Sequence, residues 1–317
     1  MSPESHLHWG AGALWKCLDP LLPGISVEVL ARSESTNTAL IERARRSGGQ
    51  HDAPVSRPGE FDPVSDPRTP HGRRSGDTHP CLLVAEHQTR GRGRLGRSWE
   101  SAAGASLTFS LALPLAPAQW SGLSLAVGVA LADALDPSVA DPGAAGRGAS
   151  APAPRIGLKW PNDLWLLDGS AGIGRKLGGI LIETLPVGER RMCIVGVGLN
   201  VLPQPLEGLT SGFACWHEVD PQVSAPALLR CVAEPLVRAL LRFEQSGFAA
   251  FAADFARRDL LRGHNVSTTQ PELPGGVAEG VDAHGALRVR RAGSTETHSL
   301  VAGDVSVRPA DGEAAPC

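Results

Sequence analysis

Residues Lys176 to Leu199 read KLGGILIETLPVGERRMCIVGVGL. Two apolar runs lie in this stretch, Lys176 to Thr184 and Arg191 to Leu199. Each is short, rich in Ile, Leu and Val, and bounded by turn-forming residues, so both are expected to be strands. Glycines recur inside them, at 178 and 179 in the first and at 196 and 198 in the second. A glycine weakens a strand, so it marks either tight sheet packing or a close approach of backbone or ligand. The alternation at Gly196 and Gly198 removes side chains from one face, which would clear a flat slot for a ring system. Both readings stand at this point.

Working outward, Cys81 to Glu86, Ser106 to Leu113 and Ile156 to Lys159 add further strands, enough for one mixed sheet. Gly122 to Leu135 and Ala225 to Gln245 carry apolar residues at three- and four-residue spacings, as helices lying on that sheet do. Ser35 or Thr36 is placed to cap a helix through Leu40, Ile41 and Ala44 that stops near Ser47-Gly48-Gly49. The main domain is therefore α+β or α/β. Two stretches, about 48–80 and 136–154, are so rich in Pro, Gly, Ala and polar residues that they are expected to be disordered insertions. After Arg262 the pattern changes to short strands, Val277 to Val281 and Leu287 to Arg290, joined by the turn sequence Asp282-Ala283-His284-Gly285. This predicts a small β-barrel over 263–317 behind a main domain of residues 1–262.

Composition limits the function classes. A chain of 317 residues is long enough for two domains and a full enzyme site. A net charge of -3 supplies no overall field for nucleic acid or an anionic membrane, so any phosphate site must be a local cluster. Cys17, Cys81, Cys193, Cys215, Cys231 and Cys317 form no CxxC pair, so neither a disulfide framework nor a thiolate zinc site is suggested, and mostly buried, reduced thiols are expected. The start, MSPESHLHWG, lacks a basic region and an apolar run, and no later apolar stretch would span a bilayer. A cytoplasmic location is expected.

Two segments carry chemistry. Thr89-Arg90-Gly91-Arg92-Gly93-Arg94-Leu95-Gly96-Arg97-Ser98-Trp99 brings four arginines together, with no acidic residue before Glu100. Glycines let backbone amides approach an oxyanion, and guanidinium forks match phosphate or carboxylate oxygens. A solvated basic loop or an arginine-glycine RNA-binding segment fits this loop alone equally well. It lacks the Gly-Lys-Ser/Thr of a P-loop, and its GxGxxG spacing at 91, 93 and 96 is followed by no clear helix. Gly157-Leu158-Lys159-Trp160-Pro161-Asn162-Asp163 places a lysine at the end of an apolar strand, before a proline-fixed turn. An ammonium held there would neutralise a substrate carboxylate and then the charge building on an α-phosphate.

In order along the chain, Ser35-Thr36-Asn37, Glu86 to Trp99, Gly157 to Leu164, Arg175 to Glu183 and Gly196 to Asn200 resemble the biotin protein ligases. The combination of GRGRLGRSW with KWPND is the specific part. The resemblance implies an α+β fold, a class II synthetase-like catalytic domain with a C-terminal SH3-like barrel. It also implies a two-step reaction: biotin and Mg-ATP give biotinyl-AMP, and the biotinyl group then passes to a lysine of a biotin carboxyl carrier protein or domain. By the same resemblance Lys159, Arg92 and Arg94 are the catalytic residues. Biotin would meet Ser35, Thr36, Asn37, Gln88, Gly91, Arg92, Arg94, Lys159, Gly179, Gly196 and Gly198. ATP would meet Arg92, Arg94, Arg97, Trp99, Lys159, Asn162 and Asn200, with Trp216 stacked on adenine. The metal is left to the phosphates and water, with no protein ligand named.

Some family members repress transcription through an N-terminal helix-turn-helix, but only about thirty residues precede Ser35, so DNA binding is not expected. A monomer and a homodimer are equally compatible with the sequence. The alternatives are a lipoate or octanoate protein ligase of the same fold group and an arginine-glycine nucleic-acid-binding module.

Overall fold

The structure is a computed structural model, and it describes residues 7–47, 78–137, 153–167, 173–205, 212–302 and 307–309. Helix α1 (Ala11–Leu18) leads into strand β1 (Ser26–Ser33) and helix α2 (Thr36–Ser47). Then follow β2 (Cys81–Gln88), the two-residue strands β3 (Gly91–Arg92) and β4 (Ser98–Trp99), β5 (Ser106–Pro114) and helix α3 (Leu123–Leu135). Strands β6 (Ile156–Lys159), β7 (Asp163–Leu166), β8 (Arg175–Val187) and β9 (Arg190–Asn200) precede helices α4 (Ala225–Ser246) and α5 (Ala252–Ala256). The tail adds β10 (Asn265–Thr268), β11 (Gly275–Val281), β12 (Leu287–Arg291), β13 (Thr297–Leu300) and β14 (Val307–Pro309).

Seven strands form one sheet in the order β1-β2-β5-β9-β8-β7-β6, parallel at β1–β2 and antiparallel elsewhere, which makes it the mixed sheet of an α+β domain. Strand alternation divides its two faces. On β9, Cys193, Val195, Val197 and Leu199 point into the main core with helices α3 and α4, while Met192 and Ile194 join Leu40 and Ala44 of α2 on the other side. Gly196 and Gly198 continue that second row. On the same face, β5 presents Thr108, Ser110 and Ala112, and β8 presents Gly179, Leu181 and Glu183. Beyond the first turns of α2 this face is therefore built, Leu181 apart, of small or polar residues, and the sheet is left open there.

The expected strands and helices all form. Among the elements that went unexpected, α1 and β1 are made from the residues before Ser35 and complete one edge of the sheet, and β7 pairs between β6 and β8 near the other. The expected insertions fall largely on 48–77 and 138–152, outside the described residues. Asp136, assigned to the second insertion, belongs instead to the folded domain. It is buried, accepts from the Arg155 and Arg258 side of the chain (Arg155 N to Oδ2, 2.9 Å), and shares with Asp133 the buried guanidinium of Arg258.

The five tail strands pair in the order β13-β12-β11-β10-β14, all antiparallel, and β13 and β14 do not pair with each other among the described residues. The Asp282–Gly285 turn is fixed by Asp282 Oδ1, which accepts from the amides of His284 and Ala286 at 2.8 and 3.0 Å, while Gly285 has φ 79°. The tip of that turn meets the main sheet, where the Trp160 indole N–H donates to Gly285 O at 3.0 Å. Of the cysteines described, Cys81, Cys193 and Cys215 are buried while Cys17 and Cys231 are exposed. Burial pushes the Cys193 thiol up to about 12, which leaves it inert.

Candidate active site

The open stretch of the sheet is the floor of a cavity of about 130 Å³ that opens to solvent. Its first wall is the N-terminus of α2. Ser35 caps the helix, its Oγ accepting from Thr38 N at 3.4 Å. The amide and hydroxyl of Thr36 both donate to Gln88 Oε1, at 2.8 and 3.1 Å. Ser110 Oγ lies 2.6 Å from both Thr36 Oγ1 and Asn37 Oδ1, with one proton to give to either. Asn37 Nδ2 donates to Leu181 O at 3.2 Å and to Glu183 Oε2 at 2.9 Å. Gly196 makes this possible, since a Cβ there would sit 2.2 Å from Asn37 Oδ1.

The second wall is the glycine-arginine loop. Gly91 and Arg92 pair with Trp99 and Ser98, and a Cβ on Gly91 would lie 2.2 Å from Trp99 O, so only glycine fits. The crest turns back through Leu95 (φ 56°) and Gly96 (φ 71°), the former a conformation uncommon for a side-chain-bearing residue. Two side chains tie the loop to opposite rims of the cavity. Arg92 pairs with Glu183 at 2.8 Å, and Arg94 donates to Asn162 Oδ1 at 3.3 Å. Trp99 lies over Gly198, where a Cβ would be 2.4 Å from the indole; its buried N–H has no partner among the described residues.

The third wall is the β6–β7 hairpin with its cis Trp160–Pro161 peptide. Asn162 Nδ2 donates to Ile180 O at 2.8 Å and so fixes the turn against β8. Lys159 Nζ donates to Val307 O of the tail at 2.8 Å and lies 5.9 Å from the centre of the Trp165 ring. Burial lowers the Lys159 pKa; Asp163 opposes that shift, while Lys176, Arg97 and Arg308 reinforce it. Lys176 reaches in from the start of β8 and pairs with Asp163 at 2.8 Å.

Among the residues expected at the site, Ser35, Thr36, Asn37, Gln88, Arg92, Arg94, Arg97, Trp99, Lys159, Asn162, Gly179, Gly196 and Gly198 line this one cavity. Gly91, Asn200 and Trp216 are not in its lining. Asn200 is buried at the end of β9, its amide donating to Lys176 O and Ala214 O at 3.3 and 2.9 Å. Trp216 packs in the main core. The slot expected above Gly196 and Gly198 is used in part by Asn37 and Trp99, so those glycines admit side chains of the site itself. Lys176, Asp163, Ser110 and Glu183 went unassigned from sequence. A signal existed for the last two, as polar residues inside otherwise apolar strands, whereas the Lys176–Asp163 pair required knowing that β7 and β8 are neighbours. Among the described residues no group of three or more His, Cys, Asp or Glu gathers to hold a metal, and no helix is long and apolar enough to cross a membrane.

A cavity with five cationic side chains against one carboxylate, next to a recess of neutral hydrogen-bonding groups, belongs to an enzyme that handles a polar small acid together with a phosphorylated ligand. Comparison with known proteins narrows the class. The model of the biotin/lipoate A/B protein ligase family matches residues 73–200, and that of the biotin protein ligase C-terminal domain matches 265–308. A biotin--[acetyl-CoA-carboxylase] ligase of Mycobacterium tuberculosis is 34% identical over 93% of this chain and 91% of its own. The bifunctional ligase/repressor BirA of Escherichia coli is 30% identical over 92% of this chain and 76% of its own. The chain belongs to the biotin protein ligase family. In fold it resembles the Aquifex aeolicus biotin protein ligase solved with biotin and ATP, at a TM-score of 0.61 and 22% identity over 89% of this chain and 98% of that one.

Proposed function

We infer that this protein activates biotin with ATP and transfers the biotinyl group to a lysine of a biotin carboxyl carrier protein or domain. One observation carries the reading: a neutral polar recess and a cluster of cations open into the same cavity. A ligand with an uncharged ureido ring at one end and a carboxylate at the other meets matching groups at both.

Thr36, Asn37 and Gln88, with Ser35 beside them, hold the ring. Arg92, Arg94, Lys159 and Lys176 surround the carboxylate and the α-phosphate, with Asp163 orienting Lys176. A carboxylate oxygen bonds to the α-phosphorus, and the bond from that phosphorus to pyrophosphate breaks, releasing pyrophosphate with the electron pair. The amine of the acceptor lysine then bonds to the acyl carbon, AMP departs with the electrons of the anhydride bond, and the new amide sheds its proton to water. Positioned charge and fixed orientation supply the rate enhancement, and no enzyme nucleophile is needed. Magnesium enters with the phosphates of ATP. Arg97, Asn162 and Trp99 face the nucleotide side of the same cavity.

The reading carries further assignments: a domain boundary between 262 and 263, a cytoplasmic location, and a monomer or homodimer that binds neither DNA nor membrane. The experiment that tests the activity supplies biotin or lipoate with ATP, magnesium and an apo carrier domain, and follows pyrophosphate release and label transfer. Biotin is expected to support both. Pyrophosphate release with lipoate and none with biotin would overturn the reading in favour of a lipoate ligase.

A further inference from the structure

Glu183 lies on β8, past the glycines of the floor, and its two carboxylate oxygens face different parts of the site. Oε2 accepts from Asn37 at 2.9 Å, and Oε1 pairs with Arg92 at 2.8 Å. Asn37 is immobile, since its amide also bonds Leu181 O and Ser110 and it is wedged over Gly196. The carboxylate is therefore held ready on the rigid sheet, whereas Arg92 belongs to a loop whose crest is exposed. The loop meets the opposite rim through Arg94 and Asn162. It spans the cavity as a strap with a fastening on each side.

We propose that Glu183 is a positioning residue which latches the loop across the bound adenylate, so that its charge governs how long the activated intermediate is retained. The proposal rests on the biotin ligase reading. An ion pair this exposed is screened by salt, which gives the latch a signature that a purely structural carboxylate lacks.

Enzyme loaded with radiolabelled biotin and ATP, without acceptor, is chased with unlabelled biotin at low and at high salt. Glu183→Gln keeps the size of the side chain and a carbonyl acceptor for Asn37 but removes the charge. It is expected to lose label about two- to five-fold faster than the wild type at low salt, with the effect on retention and not on first-turnover pyrophosphate release. Wild-type retention should fall toward that of the variant as salt rises, while the variant responds little. Glu183→Asp keeps the charge and should keep the salt response, even if the Gln variant proves poorly folded. In an Arg92→Met background, loaded with preformed labelled biotinyl-AMP so that retention is read without the adenylation step, Glu183→Gln should change nothing further. Equal retention, an equal salt response, or an undiminished effect in the Arg92→Met background would overturn the latch. Failure of the wild type to release pyrophosphate with biotin would instead overturn the functional reading.

Discussion

At the α2 end of the cavity Ser35, Thr36, Asn37, Gln88 and Ser110 are each no more than 9% exposed and uncharged, and all but Ser35 are bonded to one another. Across the floor Arg92 and Lys176 are far wetter, their side chains at 45% and 28% exposure and each paired to a carboxylate. The difference follows from what each end must do. A neutral ring is recognised by groups that cannot find water as a substitute, because an unmatched buried donor or acceptor costs about 1–3 kcal/mol. Charge in transit, by contrast, needs a partner that can exchange: an ammonium such as that of Lys176, which leaves Asp163 for a substrate oxygen and returns afterwards, while Arg92 stays fastened to Glu183. One end selects and the other turns over.

Substitutions at the two ends should accordingly fail in different ways. The largest effect is expected from Lys176→Met, which should lower the rate of biotin-dependent pyrophosphate release by about 100-fold or more, with an unchanged thermal melting profile. A loss confined to KM would instead assign Lys176 to binding alone. Next comes Asn37→Ala. It strips partners from Ser110 and Glu183 inside a buried network and should destabilise the fold by about 1–3 kcal/mol while raising the KM for biotin more than that for ATP. Equal rises in both constants would erase the distinction between the ends. The smallest effect is a displacement along the pH axis. Burial lowers the Lys159 pKa, so its ammonium is lost on raising the pH sooner than that of a solvent-exposed lysine. The alkaline limb of the adenylation rate should consequently move to higher pH in Lys159→Arg, whose charge persists. An unmoved limb would show that the protonation of Lys159 does not control the step.

The strands were legible in the sequence because they are buried on both faces and therefore read as continuous Val, Ile and Leu runs, as in CLLVA at 81–85 or MCIVGVGL at 192–199. Strand β1, SVEVLARS, lies at the sheet edge with its second half exposed, and its mixed composition hid it. Strand β7 was masked by its own motif: Asp163 reads as the end of a turn, yet it is the first residue of a strand that faces β8. Site residues were visible where glycine and arginine cluster in sequence, as at 91–97. Lys176 was not, since nothing local to it marks Asp163 as its neighbour, and Ser110 and Glu183 were marked only as polar residues within apolar strands, without the partners they meet. Trp216 illustrates the converse, an aromatic whose chemistry suits adenine but whose position on the chain puts it in the core.

The Asp136 carboxylate has one more consequence. By accepting from Arg155 N at 2.9 Å and meeting Arg258 at 3.1 Å, it fastens the two ends of the 138–152 stretch to each other and to the body of the domain. For a flexible insert between endpoints joined in this way, each doubling of its length adds only about 0.6 kcal/mol of closure entropy. An epitope or fluorescent reporter spliced between Asp136 and Arg155 is therefore expected to leave the thermal melting profile of the domain close to that of the unaltered chain.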